Sequence, residues 1–121
     1  MQFANLFAVL IGGALGGVLR WLISLKIPFV VQQFSWGTFV VNMVACLLMG
    51  ALYPRLSNDF WRLLLFTGLL GGFSTFSGLA IEIIQYCEHQ EYRLAVIYGL
   101  TSLIFGILLA WLGQRFSVLF S

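Results

Sequence analysis

The sequence predicts an all-α integral membrane protein with four transmembrane helices, the third of which is broken at mid-membrane. Three observations indicate this architecture. The chain of 121 residues is 61% hydrophobic and only 8% charged, whereas a soluble domain is about half apolar and about a quarter charged. Four apolar segments are long enough to cross a bilayer, which takes roughly 20 helical residues. The third segment has glycine and hydroxyl residues clustered near its centre.

The composition also excludes several classes of function. Six Lys and Arg against four Asp and Glu, a net charge of +2, cannot form the dense basic face that a nucleic-acid binder needs. The sequence has no P-loop, no paired carboxylates and no Ser/His/Asp set, so we expect no enzyme and no nucleic-acid partner. Membrane lipid is the expected surroundings of a single domain spanning residues 1–121.

The predicted spans cover residues 3–25, 36–53, 60–86 and 94–116. Backbone polar groups must pair internally within the hydrocarbon, so each span is expected to be helical. The connections carry the helix-breaking and polar residues, including Pro28 and Pro54. The run Ser57-Asn58-Asp59 ahead of Phe60 is typical of a helix N-cap.

The basic residues are evenly divided between the two ends of the spans. Three fall on the side of the termini and the second connection, and three on the side of the first and third connections: Arg55, Arg62 and Arg115 against Arg20, Lys26 and Arg93. Orientation in a membrane normally follows an excess of Lys and Arg on one side. The balance therefore predicts dual topology, which allows an antiparallel homodimer; a single topology set by another signal is the alternative.

Glycine stripes indicate where helices approach one another. The first span holds two overlapping GxxxG pairs, and glycine recurs every seven residues in the fourth: Gly12 with Gly16, Gly13 with Gly17, and Gly99, Gly106 and Gly113. Such stripes let helix backbones come close in a bilayer. Packing within one subunit and packing between subunits both fit this pattern.

Polar side chains within the spans mark candidate ion or substrate pathways. Arg20 either faces a solute or extends its side chain to the headgroups. Asn42 either joins two helices or offers its N–H to a solute. Glu82 either lies on a pathway or accepts a hydrogen bond from a neighbouring helix.

The centre of the third span, residues 71–77, is the most informative stretch. Its two glycines and three hydroxyl residues predict a broken helix, which is tolerated at that depth only when buried in protein or lining a wet cavity. Freed carbonyls suit a small cation, while N–H and O–H groups suit an anion. The positive edge of a phenyl ring can also contact an anion.

Three segments in order resemble the small bacterial fluoride channels, often called Fluc. GGALGGVLRW at residues 12–21 is similar to the glycine-rich first helix of that family, which ends in Arg. GTFVVN at residues 37–42 resembles its GTxxxN second helix, and TGLLGGFSTFS at residues 67–77 resembles its TGxxGGxTTFS break. The fourth span matches only in its glycines and hydroxyls, so its pore residues are not assigned.

The resemblance implies a passive, fluoride-selective channel in the bacterial inner membrane. It implies an antiparallel homodimer with two pores and a central structural sodium ion, held by the backbone carbonyls of Gly71 and Ser74. The residues that it assigns to the anion pathway, including its vestibule, are Arg20, Asn42, Thr75, Phe76, Ser77, Leu79 and Glu82.

Leu79 is a departure from the family pattern. The second pore phenylalanine of the family, three residues after Phe76, falls on this leucine. A shift of three residues would restore a pair as Phe73 and Phe76, but it would move Glu82 and the glycines out of position. We therefore keep the ungapped alignment, and a heterodimer stays an alternative to the homodimer.

Two other functions compete with the channel. A four-span multidrug exporter needs an acidic residue in its first span, where this chain has Arg20 and neither Asp nor Glu. A non-conducting assembly subunit would use its polar residues only to join helices. Anion flux in liposomes separates the three alternatives.

Overall fold

The computed structural model describes residues 3–120, which form helices and contain no β-strand. Helix α1 covers Phe3–Lys26 and α2 covers Trp36–Leu52. The third span consists of α3, residues 59–73, and α4, Phe76–Glu88; the fourth is α5, Tyr92–Leu119. The predicted fold of four helical spans with a broken third one is confirmed, with helix ends within three residues of those expected.

Length and apolarity qualify three of these spans to cross a membrane, namely α1, the combined third span and α5. Helix α2 is apolar but has only 17 residues. Many large apolar side chains of the described chain face outward, such as Leu103 at 62% and Ile107 at 64% exposed. A bilayer provides the solvent for such a surface.

The third span begins at the predicted cap and changes its winding before the break. The side chain of Asn58 accepts a hydrogen bond from the Phe60 N–H. Leu63–Leu70 is then wound as a π-helix. This form is rare in proteins, and where it does occur it often lies at a functional site. Gly71–Phe73 returns to α-helix, and Ser74 and Thr75 are extended.

The position of the break corrects one sequence-based expectation. Gly71 and Gly72 were expected to weaken the helix, but both are helical, and the chain departs from the helix at Ser74. Gly72 instead permits close packing, since an added Cβ would lie 2.9 Å from the Gly13 carbonyl oxygen of α1. The helix is therefore interrupted at the hydroxyl residues, and the glycines allow close packing against α1.

The break lets the two halves of the third span pack against different helices. Helix α1 packs chiefly on α3, whereas α4 packs on α5, which also covers α2. A buried apolar cluster joins α2 to α3 through Val41, Ala45, Phe66, Leu70 and Phe73. A second cluster joins α4 to α5 around Tyr86 and Tyr98, neither of which is exposed.

Some glycines of the stripes pack against another helix of the same chain, and others face open space. A Cβ at Gly12 or Gly16 would collide with the backbone of α3, and one at Gly113 would collide with α2. A Cβ at Gly13 or Gly17 would meet nothing within 4 Å. The first GxxxG pair and the α5 stripe therefore serve contacts within one subunit.

Candidate functional site

The broken segment is held by the side chain of Asn42. The Thr75 N–H donates to Oδ1 of Asn42 at 2.8 Å, and Nδ2 of Asn42 donates to the Thr75 carbonyl oxygen at 3.2 Å. The amide thus pairs with the Thr75 backbone as a second peptide would. Of the two roles expected for Asn42, the structure shows the joining of two helices.

The break releases several carbonyls from helical pairing, among them those of the two residues assigned to the sodium site. In a continuous helix, Gly71 O would accept from the Thr75 N–H and Ser74 O from the Gly78 N–H. The first N–H is bound to Asn42, and the second donates to Oγ1 of Thr75 at 2.9 Å. The carbonyl oxygens of Gly71 and Ser74 therefore lack their helical donors, which suits them to bind a hard cation.

Arg20 reaches the same region from α1. Its Nε donates to the Gly72 carbonyl oxygen at 3.1 Å. Helix α1 therefore supplies a donor to this carbonyl beside the break. The side chain is also exposed and lines a cavity of about 380 Å³. Its remaining guanidinium N–H groups keep a positive charge available to an anion in that cavity.

A carboxylate lies in the same cavity and is held by two hydroxyl groups. Oε2 of Glu82 accepts from Oγ1 of Thr38 at 3.1 Å, and Oε1 accepts from the Tyr98 hydroxyl at 2.7 Å. These bonds link α4 to α2 and α5. The second role expected for Glu82, acceptance of a hydrogen bond from a neighbouring helix, is therefore present.

The break also borders a wide apolar groove of about 630 Å³. Its lining includes Asn42, Ser74, Phe76, Leu79 and Ser102. Thr75 lines both this groove and the smaller cavity, so it stands at the boundary between them.

Two features of the groove suit a small polar solute. Ser102 is 7% exposed, and its hydroxyl has no hydrogen-bond partner among residues 3–120. An unpaired buried hydroxyl is a costly feature, and because this oxygen is itself buried, an anion or water reaches it only when neighbouring side chains move. The ring of Phe76 is 82% exposed and free to meet a solute or a second subunit.

The two phenylalanines near the break have different surroundings. Phe73 is buried in the α2–α3 core, whereas Phe76 stands out from the start of α4. A solute in the groove can thus contact Phe76 but not Phe73. This difference favours the ungapped alignment, in which the second phenylalanine of the family pattern falls on Leu79.

Ser77 and Gly71 lie near the break but do not line the cavity or the groove. Oγ of Ser77 lies 3.4 Å from Oγ1 of Thr75, and Ser77 is exposed. Gly71 is exposed beside the break. Neither residue is among those lining the cavity or the groove.

Thr38, Tyr98 and Ser102 were not assigned to the site from the sequence. Thr38 belongs to the GTFVVN segment, and its contact with Glu82 emerges only when α2 packs beside α4. Tyr98 and Ser102 are one helical turn apart on α5, so their spacing carried a signal. Because the fourth span resembles the family only weakly, this spacing could not be assigned a function from the sequence.

Comparison with known proteins places this architecture in a family. Residues 7–114 match the family described as CrcB-like protein, Camphor Resistance. The chain belongs to the CrcB family. This membership confirms the family resemblance in the first three spans.

Several relatives of similar length are named as fluoride-specific ion channels. A fluoride-specific ion channel from Ligilactobacillus salivarius is 35% identical, over 88% of this chain and 93% of that protein. Fluoride-specific ion channels from Chlorobium phaeobacteroides and Escherichia coli O1:K1 are 34% and 36% identical, over 99% and 90% of this chain and 98% and 90% of theirs. CrcB proteins are thus channels, and the expectation that this chain is not an enzyme is confirmed.

Proposed function

We propose that this CrcB-family chain is a fluoride-specific channel of the bacterial inner membrane, through which fluoride leaves the cell passively. The observation that carries the proposal is the break at Ser74 and Thr75, placed between a cavity lined by Arg20 and a groove with an unpaired hydroxyl at Ser102. Relatives named fluoride-specific channels support the choice of ion.

The proposed anion path begins at the cavity that contains Arg20, whose positive charge concentrates anions. It passes the break at Thr75, where Asn42 holds the backbone and the Ser77 hydroxyl lies beside that of Thr75, and continues along the groove by Phe76, Leu79 and Ser102. Fluoride holds its water strongly, so a pore must offer replacement donors. Hydroxyl groups and the edge of the Phe76 ring supply them without a fixed cation that would trap the ion.

Glu82 has a positioning role in this proposal. A bare carboxylate beside the path would repel an anion. Thr38 and Tyr98 both donate to Glu82, which directs its oxygens toward these hydroxyls. The carboxylate then fixes α4 against α2 and α5 and so keeps the donors of the path in place.

The active form that we propose is an antiparallel homodimer with a sodium ion at its centre. The carbonyl oxygens of Gly71 and Ser74, whose helical donors are bound elsewhere, would meet the same pair from a second copy. Four neutral oxygens suit a hard monovalent cation, whose role here is structural. The exposure of Phe76 and Gly71 supports a second copy at this face.

The test is anion flux from the purified full chain in liposomes loaded with potassium fluoride, with sodium kept in the buffers on both sides and valinomycin to carry the compensating potassium. We expect fast release of fluoride and far slower release of chloride from matched liposomes. Proton-coupled uptake of an organic cation would favour the multidrug exporter, and absence of any flux would favour an assembly subunit.

A further inference from the structure

Three sulfur-bearing side chains follow one face of α2. Met43, Cys46 and Met49 are spaced by three residues, which places them within an arc of about 120° and about 4.5 Å apart along the axis. They include both methionines other than the first residue and one of the two cysteines. All three line the apolar groove.

The side chains of Met43 and Cys46 lie against the same point of α5. From the position that a Cβ of Gly106 would occupy, Sγ of Cys46 is 3.3 Å away and the terminal methyl carbon of Met43 is 3.6 Å away. Glycine at this position leaves room between α2 and α5 for both groups. Cys46 forms no disulfide and is half-buried, and it lines the groove.

We propose that Met43, Cys46 and Met49 form a binding site for a soft monovalent metal ion, Cu⁺ or Ag⁺. Thiolate and thioether sulfur select such ions over hard cations. The polar side chains of the groove are the neutral groups of Asn42, Ser74, Thr75 and Ser102, without a carboxylate or imidazole for a harder ion. The long, flexible methionine side chains can turn toward Cys46 from either side.

The charge balance of this site suits an apolar groove. On binding, the Cys46 thiol releases its proton to water and the thiolate sulfur forms a bond to the metal, while the two thioethers donate lone pairs without a proton change. The positive charge of the metal ion thus replaces that of the released proton, and the filled site is neutral, as the empty site is. A site with a net charge would be costly in such surroundings.

Occupation of the site has an expected effect on transport, which rests on the proposed function. Met43 and Met49 share the groove with Asn42 and Phe76. A bound metal would obstruct that part of the path by occupying the groove. Micromolar Ag⁺ is therefore expected to inhibit fluoride efflux, whereas metal binding itself does not depend on fluoride conduction.

The binding test uses silver nitrate and the purified full chain in chloride-free detergent buffer, with bound silver counted after desalting. We expect about one silver ion per chain, with two or three sulfur ligands by X-ray absorption. Cys87→Ser is the matched control, because Cys87 lies among aromatic residues around Tyr86, and it should bind as wild type does. Cys46→Ser should lose the ion.

The methionines distinguish a built site from a reactive thiol. Met43→Leu with Met49→Leu conserves side-chain volume and keeps Cys46, and should weaken silver binding by about tenfold or more. Equal affinity in this double variant and in wild type would overturn the proposal, as would loss of silver in the Cys87→Ser control. Silver binding in a chain that conducts no fluoride would leave this site standing and reject the proposed function alone.

Discussion

Asn42 and Thr75 form a two-bond pair across 33 residues of sequence, with the Asn42 amide both accepting from and donating to the Thr75 backbone. The pair occupies the Thr75 N–H, which would otherwise continue the helix by bonding to Gly71. One side chain of α2 therefore keeps the third span broken, frees the Gly71 carbonyl and sets the start of α4.

The first prediction concerns the donor half of this pair. Asn42→Asp keeps an acceptor for the Thr75 N–H but loses the donor to the Thr75 carbonyl and adds a negative charge beside the path. We expect fluoride efflux to be abolished, with a loss of about 1–3 kcal/mol in the free energy of unfolding. The measurements are efflux from liposomes and thermal stability in detergent.

Phe76→Ile is the companion change for the path itself. It removes the ring edge from an exposed position and leaves the break intact, so efflux should fall without a loss of stability. Fluoride efflux at the wild-type rate in both variants would contradict the proposed path.

The locations of the spans could be predicted because hydrocarbon thickness and apolarity determine them. The site of the break within residues 71–77 could not, since local propensity pointed to Gly71 and Gly72. Thr75 is withdrawn from the helix by Asn42, a partner distant in sequence. The glycines stay helical because their small size is needed for close packing rather than for backbone freedom.

The roles of Glu82 and Ser102 depend on the same tertiary information. An acidic residue within a span indicated a functional position, but only the packing of α2 and α5 on α4 shows which hydroxyls contact Glu82. Ser102 was one hydroxyl among several in the fourth span. Its burial and its lack of a partner in the described chain distinguish it.

The second prediction uses neighbouring glycines of α1. A Cβ at Gly16 would collide with the carbonyl oxygen of Leu69, whereas one at Gly13 meets nothing within 4 Å. Gly16→Ala should therefore lower stability by about 1–3 kcal/mol or prevent folding. Gly13→Ala should be neutral or stabilising within the subunit, because Ala favours a helix by about 0.8–1.0 kcal/mol. Thermal unfolding in detergent compares the two, and equal stability would refute this packing assignment.

The third prediction is dual topology, based on the even division of the basic residues. Several Lys residues added after Ser121 should fix one orientation and make function depend on a copy fixed in the other. The measurement is labelling of a C-terminal cysteine tag from each side of the membrane. Native protein labelled from one side only would contradict it.

The fourth prediction is sodium dependence of the dimer. The carbonyl oxygens of Gly71 and Ser74 lack their helical donors, so replacing sodium with N-methylglucamine should dissociate the dimer and stop fluoride efflux. Gly71→Val places a branched side chain beside the proposed ion and should weaken the dimer. Ser74→Ala should matter less, because the backbone carbonyl is the ligand and the hydroxyl donates to Leu70. A dimer stable without sodium would refute this ion site.

The last prediction concerns Leu79, which lines the groove and packs beside the cluster of Tyr86 and Tyr98. Leucine fills much of the volume of phenylalanine but offers no positive ring edge to a partly dehydrated ion. One such contact is worth roughly 0.5–1.5 kcal/mol by analogy with aromatic pairs, or about tenfold in rate at most. Leu79→Phe should therefore raise fluoride efflux by up to about tenfold, the groove having room for the ring, and leave the preference over chloride unchanged because the hydroxyl donors remain. If the wild-type chain is silent until co-expressed with a family member that carries phenylalanine there, the homodimer is wrong and the chain is half of a heterodimer.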